Sequence, residues 1–91
     1  MFAPLTGTMR TYWDTEHKVL AEEYFTFLGR KEGMYRMYHH NGILARMTYY
    51  IHRNRQGDYL EYLQDGRLYE HSIYDSNQRV EVIFDYRNER Q

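Results

Sequence analysis

The sequence predicts an all-β fold: an antiparallel meander of about seven strands, forming a single elongated, twisted sheet. Three observations predict it. Residues 33–56 and 57–80 align without gaps, so one stretch is written twice at a spacing of 24 residues. Each copy sets Asn41-Gly42 or Asp65-Gly66 between apolar and aromatic runs, the strongest short-range hairpin signal. The composition also suits strands, with 18% aromatics, eleven Tyr and a single Pro among 91 residues.

The elements follow in order. A decayed first copy starts at Gly7 and predicts strands over 8–13 and 18–27. It keeps Tyr12 at the place of Tyr38, and Leu20 precedes Leu44 by 24 residues. Gly7 precedes Gly33 by 26, so two extra residues fall in "WDTEHK". The second copy predicts strands over 33–39 and 43–51, and the third over 57–63 and 67–74. Their identical pairs are Gly33/Gly57, Tyr35/Tyr59, Tyr38/Tyr62, Gly42/Gly66, Leu44/Leu68, Tyr50/Tyr74 and Arg55/Arg79. The closing strand is "VEVIFDY", 80–86. Asn-Gly and Asp-Gly fit two-residue type I′ corners, which need φ > 0 twice. The segments "HRNRQG" and "DSNQR" read as longer loops between hairpins, and no helix is expected. The chain is thus one domain, 1–91, with repeats 7–32, 33–56 and 57–80 and a final strand.

Alternation assigns the faces. One parity carries Phe25, Phe27, Met47, Tyr49, Ile51, Tyr69 and Ile73, and is expected to be packed. The other carries Leu44, Arg46, Thr48 and Tyr50 with their equivalents, and is expected to be half wet. In the last strand Val80, Val82, Phe84 and Tyr86 share a face, opposite Glu81 and Asp85. A single layer cannot cover an apolar face with itself. The segment "MFAPL", the sheet's own twist or another molecule must do so, and a homodimer is the expected solution.

The pattern Gly-x-Tyr-x-x-Tyr-x-x-(Asn/Asp)-Gly-x-Leu, carried by Gly33, Tyr35, Tyr38, Asn41, Gly42, Leu44 and by Gly57, Tyr59, Tyr62, Asp65, Gly66, Leu68, resembles divergent MORN-type repeats. Such repeats are found in many bacterial and large-DNA-virus proteins. The resemblance implies a twisted sheet of hairpins acting as a scaffold or binding surface. Phospholipid binding is attributed to some members and antitoxin-like roles to others. Here Trp occurs once, as Trp13.

Composition narrows the function. With no cysteine, disulfides and thiolate metal sites are excluded. A net charge of −1 argues against bulk electrostatic binding of nucleic acid. Glu22, Arg46 and Glu70 alternate in sign at equivalent positions, so a basic membrane-binding face is not expected. No signal peptide or membrane helix is read, and a cytoplasmic location is expected, the host's if the chain is viral. His39 and His40 point to opposite faces; only His52 and His71 are candidates to approach one another, without metal-site spacing. No carboxylate pair, nucleophile motif or phosphate-cradling loop is present, so neither an enzyme nor a cofactor is expected. The expected function is a non-enzymatic protein-interaction module, an adaptor, scaffold or inhibitor of viral or mobile-element type. Its partner-binding residues are Tyr38, Tyr50, Tyr62, Tyr74, Arg53 and Arg55. The alternative is a single-stranded nucleic-acid binder stacking bases on Tyr.

Overall fold

The computed structural model describes residues 6–89; the expected cover by "MFAPL" falls outside the described residues. Seven strands follow one another: β1 (Gly7–Tyr12), β2 (Leu20–Phe27), β3 (Arg30–Tyr38), β4 (Leu44–Ile51), β5 (Asn54–Tyr62), β6 (Leu68–Asp75) and β7 (Gln78–Asp85). Each pairs antiparallel with the next, giving one open sheet in the order β1 to β7. Extents of 53 × 32 × 11 Å describe a single layer. One helical turn, α1 (Tyr86–Glu89), departs from the all-strand expectation. It follows β7, where Asp85 accepts from the Arg87 N–H at 3.0 Å.

All seven expected strands are present, but the turns exchange roles. Phe27 pairs with Arg30, Ile51 with Asn54 and Asp75 with Gln78, so only two residues connect each of these strands. Those residues have φ of +50° and +79° (Leu28, Gly29), +50° and +73° (His52, Arg53), and +50° and +72° (Ser76, Asn77). Two positive values in succession are the type I′ signature. The tight corners therefore sit where long loops were expected, and β3, β5 and β7 start earlier.

Asn41-Gly42 and Asp65-Gly66 instead occupy wider loops. The His39 N–H donates to the Ile43 carbonyl at 2.8 Å, and the Gly42 N–H to the His39 carbonyl at 3.0 Å. Gly42 alone carries positive φ there, +87°, while Asn41 accepts from the Ile43 N–H at 3.0 Å. The Asp65 loop repeats this: Leu63 to Arg67 at 2.8 Å, Gly66 at φ +91°, and the Asp65 carboxylate holding the Arg67 N–H at 3.0 Å. In the first copy the same bond runs from Trp13 to Val19 at 2.9 Å, six residues apart instead of four. The two extra residues lie where the spacing put them. Gly33 and Gly57, at φ +83° and +84°, sit where the pairing on one side of their strands slips.

For the large side chains the burial of the faces is the reverse of the expected one, although Ala21 and Ala45, which share the parity expected to be packed, are buried. Across the sheet, Tyr24, Tyr35, Thr48, Tyr59 and Ser72 pair in one row and share a face. There Tyr35 and Tyr59 are 6% exposed, Thr48 1% and Ser72 0%. On the opposite face Phe25 is 41% exposed, Phe27 45%, Tyr49 43% and Ile51 42%. The reason is lateral: from Tyr35 to Ser72 large and small residues alternate along the tyrosine row, so a ring finds room beside a small neighbour. On the outer face Met34 pairs with Tyr49 and Met47 with Leu60, large against large. Two register shifts also break the alternation of β7, placing Val82 opposite Ser72 but Glu81 opposite Ile73 and Phe84 opposite His71. The expected sharing of one face by Val82 and Phe84 does not hold.

Two stability predictions follow from the turns. Gly66→Val is expected to destabilise by about 1 kcal/mol or more, because a β-branched residue resists positive φ; an unchanged melting temperature refutes it. Replacing His52-Arg53 by Asn-Gly is expected to stabilise by about 1 kcal/mol, since both new residues accept the I′ corner. Thermal melting followed by circular dichroism reads both.

Candidate functional site

The tyrosine face is organised in rows that run across the strands. Nearest the tight turns, Lys31 pairs with Thr26, Arg55 with Tyr50 and Arg79 with Tyr74. These three cations are 24 residues apart in sequence and two strands apart in space. The next row holds the buried rings. Tyr24 stacks on Tyr35 at 5.5 Å, Tyr50 meets Tyr35 edge-on at 6.0 Å, and Tyr59 tilts against Tyr74 at 5.5 Å. The cations lie over them: the Lys31 Nζ is 4.9 Å from the Tyr35 centroid, and Arg55 is 5.3 and 5.4 Å from those of Tyr59 and Tyr74. Each contributes on the order of 1 kcal/mol and seals a ring that no second layer covers.

The third row carries the carboxylates. Tyr35 donates its hydroxyl to Glu22, which Thr11 also holds at 2.9 Å, and Tyr59 donates to Glu61 at 2.9 Å. The bond from Tyr35 lowers the Glu22 pKa against the opposing effect of burial. Glu70 is buried and fully engaged, accepting from Ser72 at 2.7 Å, Arg79 at 3.1 Å and Arg87 at 3.3 Å. Such a charge is tolerated inside only with partners of this kind. Burial, reinforced by Glu61, pushes the Tyr59 phenol up to about 12, and burial with the Glu22 bond raises that of Tyr35.

At the tight-turn end these rows bound an open groove of about 810 Å³. Five cations line it: Arg30, Lys31, Arg53, Arg55 and Arg79. Tyr50 and Tyr74 stand between them, and no carboxylate is among the lining residues. The Arg30 Nε is buried with no hydrogen-bond partner among the described residues. A groove of this kind offers N–H donors and positive charge to oxyanions.

Four of the six expected partner-binding residues, Tyr50, Tyr74, Arg53 and Arg55, meet in this groove. Tyr38 and Tyr62 do not; they line a depression of about 300 Å³ near the wide loops, with Trp13, His39 and His40. The row of Glu22, Arg46 and Glu70 alternates in sign as read, yet beyond the tyrosine row the charged residues Lys31, Arg55 and Arg79 are all basic. Lys31 and Arg79 were missed as site residues, although Arg55/Arg79 is one of the identical pairs and Lys31 sits one period earlier. That period was the signal that could have found them.

The remaining candidates are structural. His39 Nε2 is bonded to the Tyr62 carbonyl at 2.8 Å, and His40 stacks on Trp13 at 4.1 Å. His52 caps a corner beside Glu32, whereas His71 pairs with Asp58 at 2.8 Å, so the two do not approach each other. Among the described residues no three His, Asp or Glu side chains gather in a metal-binding group. No helix among them is long and apolar enough to cross a membrane. Comparison with family models, curated proteins and solved structures gave no match.

The raised phenols define a pH dependence. A folded-state pKa above the ordinary 10.0 means stability is fully present below pH 10.0 and is lost as pH rises toward about 12. Melting temperature is expected to fall across that window, and less steeply in Tyr59→Phe. Equal slopes for the two proteins would show that the buried phenol is not responsible.

Proposed function

We propose that this chain is a non-enzymatic protein-interaction module of the divergent MORN-repeat kind, pairing with itself through its outer face and offering the cationic groove to a partner. One observation carries the reading: Phe25, Phe27, Met34, Tyr49 and Ile51 stand exposed on the same face of a one-layer sheet. An apolar patch of this extent marks an interaction surface. The face spans 53 by 32 Å, more than the roughly 800 Å² per partner that a standard interface buries.

Charge favours a second copy as the occupant. On this face β1–β3 carry Arg10 and Arg36 together with Glu23 and Glu32, while β5–β7 carry the acidic Asp58, Asp75 and Glu81. A two-fold axis through the central strand β4 sets β3 over β5 and β1 over β7. Each row then meets itself reversed: Arg36 lies over Leu60 with Asp58 two residues along β5, and Arg10 over Phe84 with Glu81 further along β7, within reach of long arginine side chains. Base stacking is the weaker reading. One side of Tyr35, Tyr50, Tyr59 and Tyr74 is already occupied by the protein's own cations. An adaptor or inhibitor encoded by a virus or mobile element, working in the host cytoplasm, suits a module of this size.

Light scattering at micromolar concentration is expected to give twice the chain mass of 11.3 kDa. Tyr49→Arg, at an exposed position in the middle of the face, is expected to give a monomer whose melting temperature changes little. A wild-type monomer that binds no apolar dye overturns the self-pairing.

A further inference from the structure

We infer that the cationic groove binds an acidic polypeptide segment that lies across the strands with a carboxylate at every third residue. The inference rests on the reading above that the groove receives a protein partner, and it names that partner's chemistry. Lys31, Arg55 and Arg79 stand at matching positions on β3, β5 and β7. Neighbouring strands are about 4.8 Å apart, so successive cations of the ladder spring from backbones roughly 9.6 Å apart. A polyproline-II segment rises about 3.1 Å per residue with three residues per turn, so residues i, i+3 and i+6 share a side at steps of roughly 9.3 Å. The two spacings match without distortion of either chain. A regular β-strand does not fit, because its same-side residues repeat every second position.

The groove's chemistry selects carboxylates. Its cations include the Arg30 guanidinium, whose Nε is buried and unpartnered, and the Arg53 side chain at a corner tip. Tyr50 and Tyr74 hold Lys31 and Arg55 by their ring faces, which leaves donors, and not bare rings, to meet a ligand. Arg79 already shares its charge with Glu70 at 3.1 Å, so Lys31 and Arg55 carry the greater part of the attraction.

Fluorescence anisotropy with a labelled, proline-rich peptide bearing Asp at every third position tests the inference. The probe is expected to bind at low salt and to be weakened by high salt. A peptide of the same composition with its Asp residues in one block is expected to bind at least about tenfold more weakly. Arg55→Gln is expected to weaken binding by about tenfold or more, the scale of a lost charge-assisted hydrogen bond. Arg53→Asn removes a charge from a corner that favours Asn, so it cannot act by unfolding the hairpin. Its expected loss is about two- to fivefold, the scale of an exposed ion pair. Three results overturn the inference: equal binding of the two peptides, binding unchanged in both variants, or displacement by tripolyphosphate or a single-stranded oligonucleotide at concentrations well below that of the peptide. Light scattering on the same samples keeps the two proposals apart. A monomer that still binds the peptide removes only the self-pairing, and a dimer that ignores it removes only the groove's ligand.

Discussion

A sheet 11 Å thick has no second layer, and most features of this protein follow from that constraint. In a sandwich, a side chain leaves water by meeting the opposite sheet. Here cover must come from neighbours on the same face, within a few ångströms of lateral reach. Tyr suits this task better than Leu or Val. Its ring is long enough to lie over a small neighbour such as Thr48 or Ser72, and its hydroxyl reaches the adjacent carboxylate row. Lys31 and Arg55 then close the rings from above. The core is a mosaic of aromatic, cation and carboxylate, which is why a chain with a mean hydropathy of −0.92 has a buried interior at all.

The same constraint makes each repeat dependent on the next. At the tight-turn end, the first N–H of every corner is held by a side chain that precedes the repeat to which the corner belongs: Leu28 by Thr6, His52 by Glu32, Ser76 by Gln56. At the other end Trp13 donates to the Tyr38 carbonyl at 3.0 Å, and His39 meets the Tyr62 carbonyl at 2.8 Å. Both edges of each repeat are thus latched to their neighbours, a nearest-neighbour architecture in which stability accumulates along the array. The terminal strands are exceptions. In β7, the edge strand of the described sheet, Val80, Val82 and Ile83 are exposed.

The strand count, the antiparallel order and the place of the two-residue insertion were legible because they depend only on spacing. Turn types were not. His52-Arg53 and Ser76-Asn77 adopt the I′ corner without the Asn-Gly signal, because pairing on both sides and the latches just described impose positive φ on them. Asn41-Gly42, which carries that signal, uses the Asn side chain to cap Ile43 and only the Gly for a positive φ. Burial was misread for a related reason. Counting apolar residues along a strand finds Phe25, Phe27, Tyr49 and Ile51. Burial in one layer instead depends on what stands beside a residue on the adjacent strands, and pairing across strands is not written along the chain. The candidate site was legible in part. Tyr50, Tyr74 and Arg55 come together because the period places them at matching heights, Arg53 joins them from the adjacent corner, and Lys31 and Arg79 obey the same period.

The two faces therefore pose different physical questions. The tyrosine face is closed by its own contacts and would be stable in water as it stands. The outer face has no such excuse for its composition. Side chains that are more than two-fifths exposed contribute little to folding, and each keeps apolar area in water at roughly 25 cal/mol per Å². Polar residues at Phe25, Phe27, Tyr49 and Ile51 would leave the tyrosine rows, the corners and the latches intact, since none of these depends on them. The self-pairing proposed above would remove them from water, and it would bring Arg10 and Arg36 of one copy within reach of the carboxylates on β5 and β7 of the other.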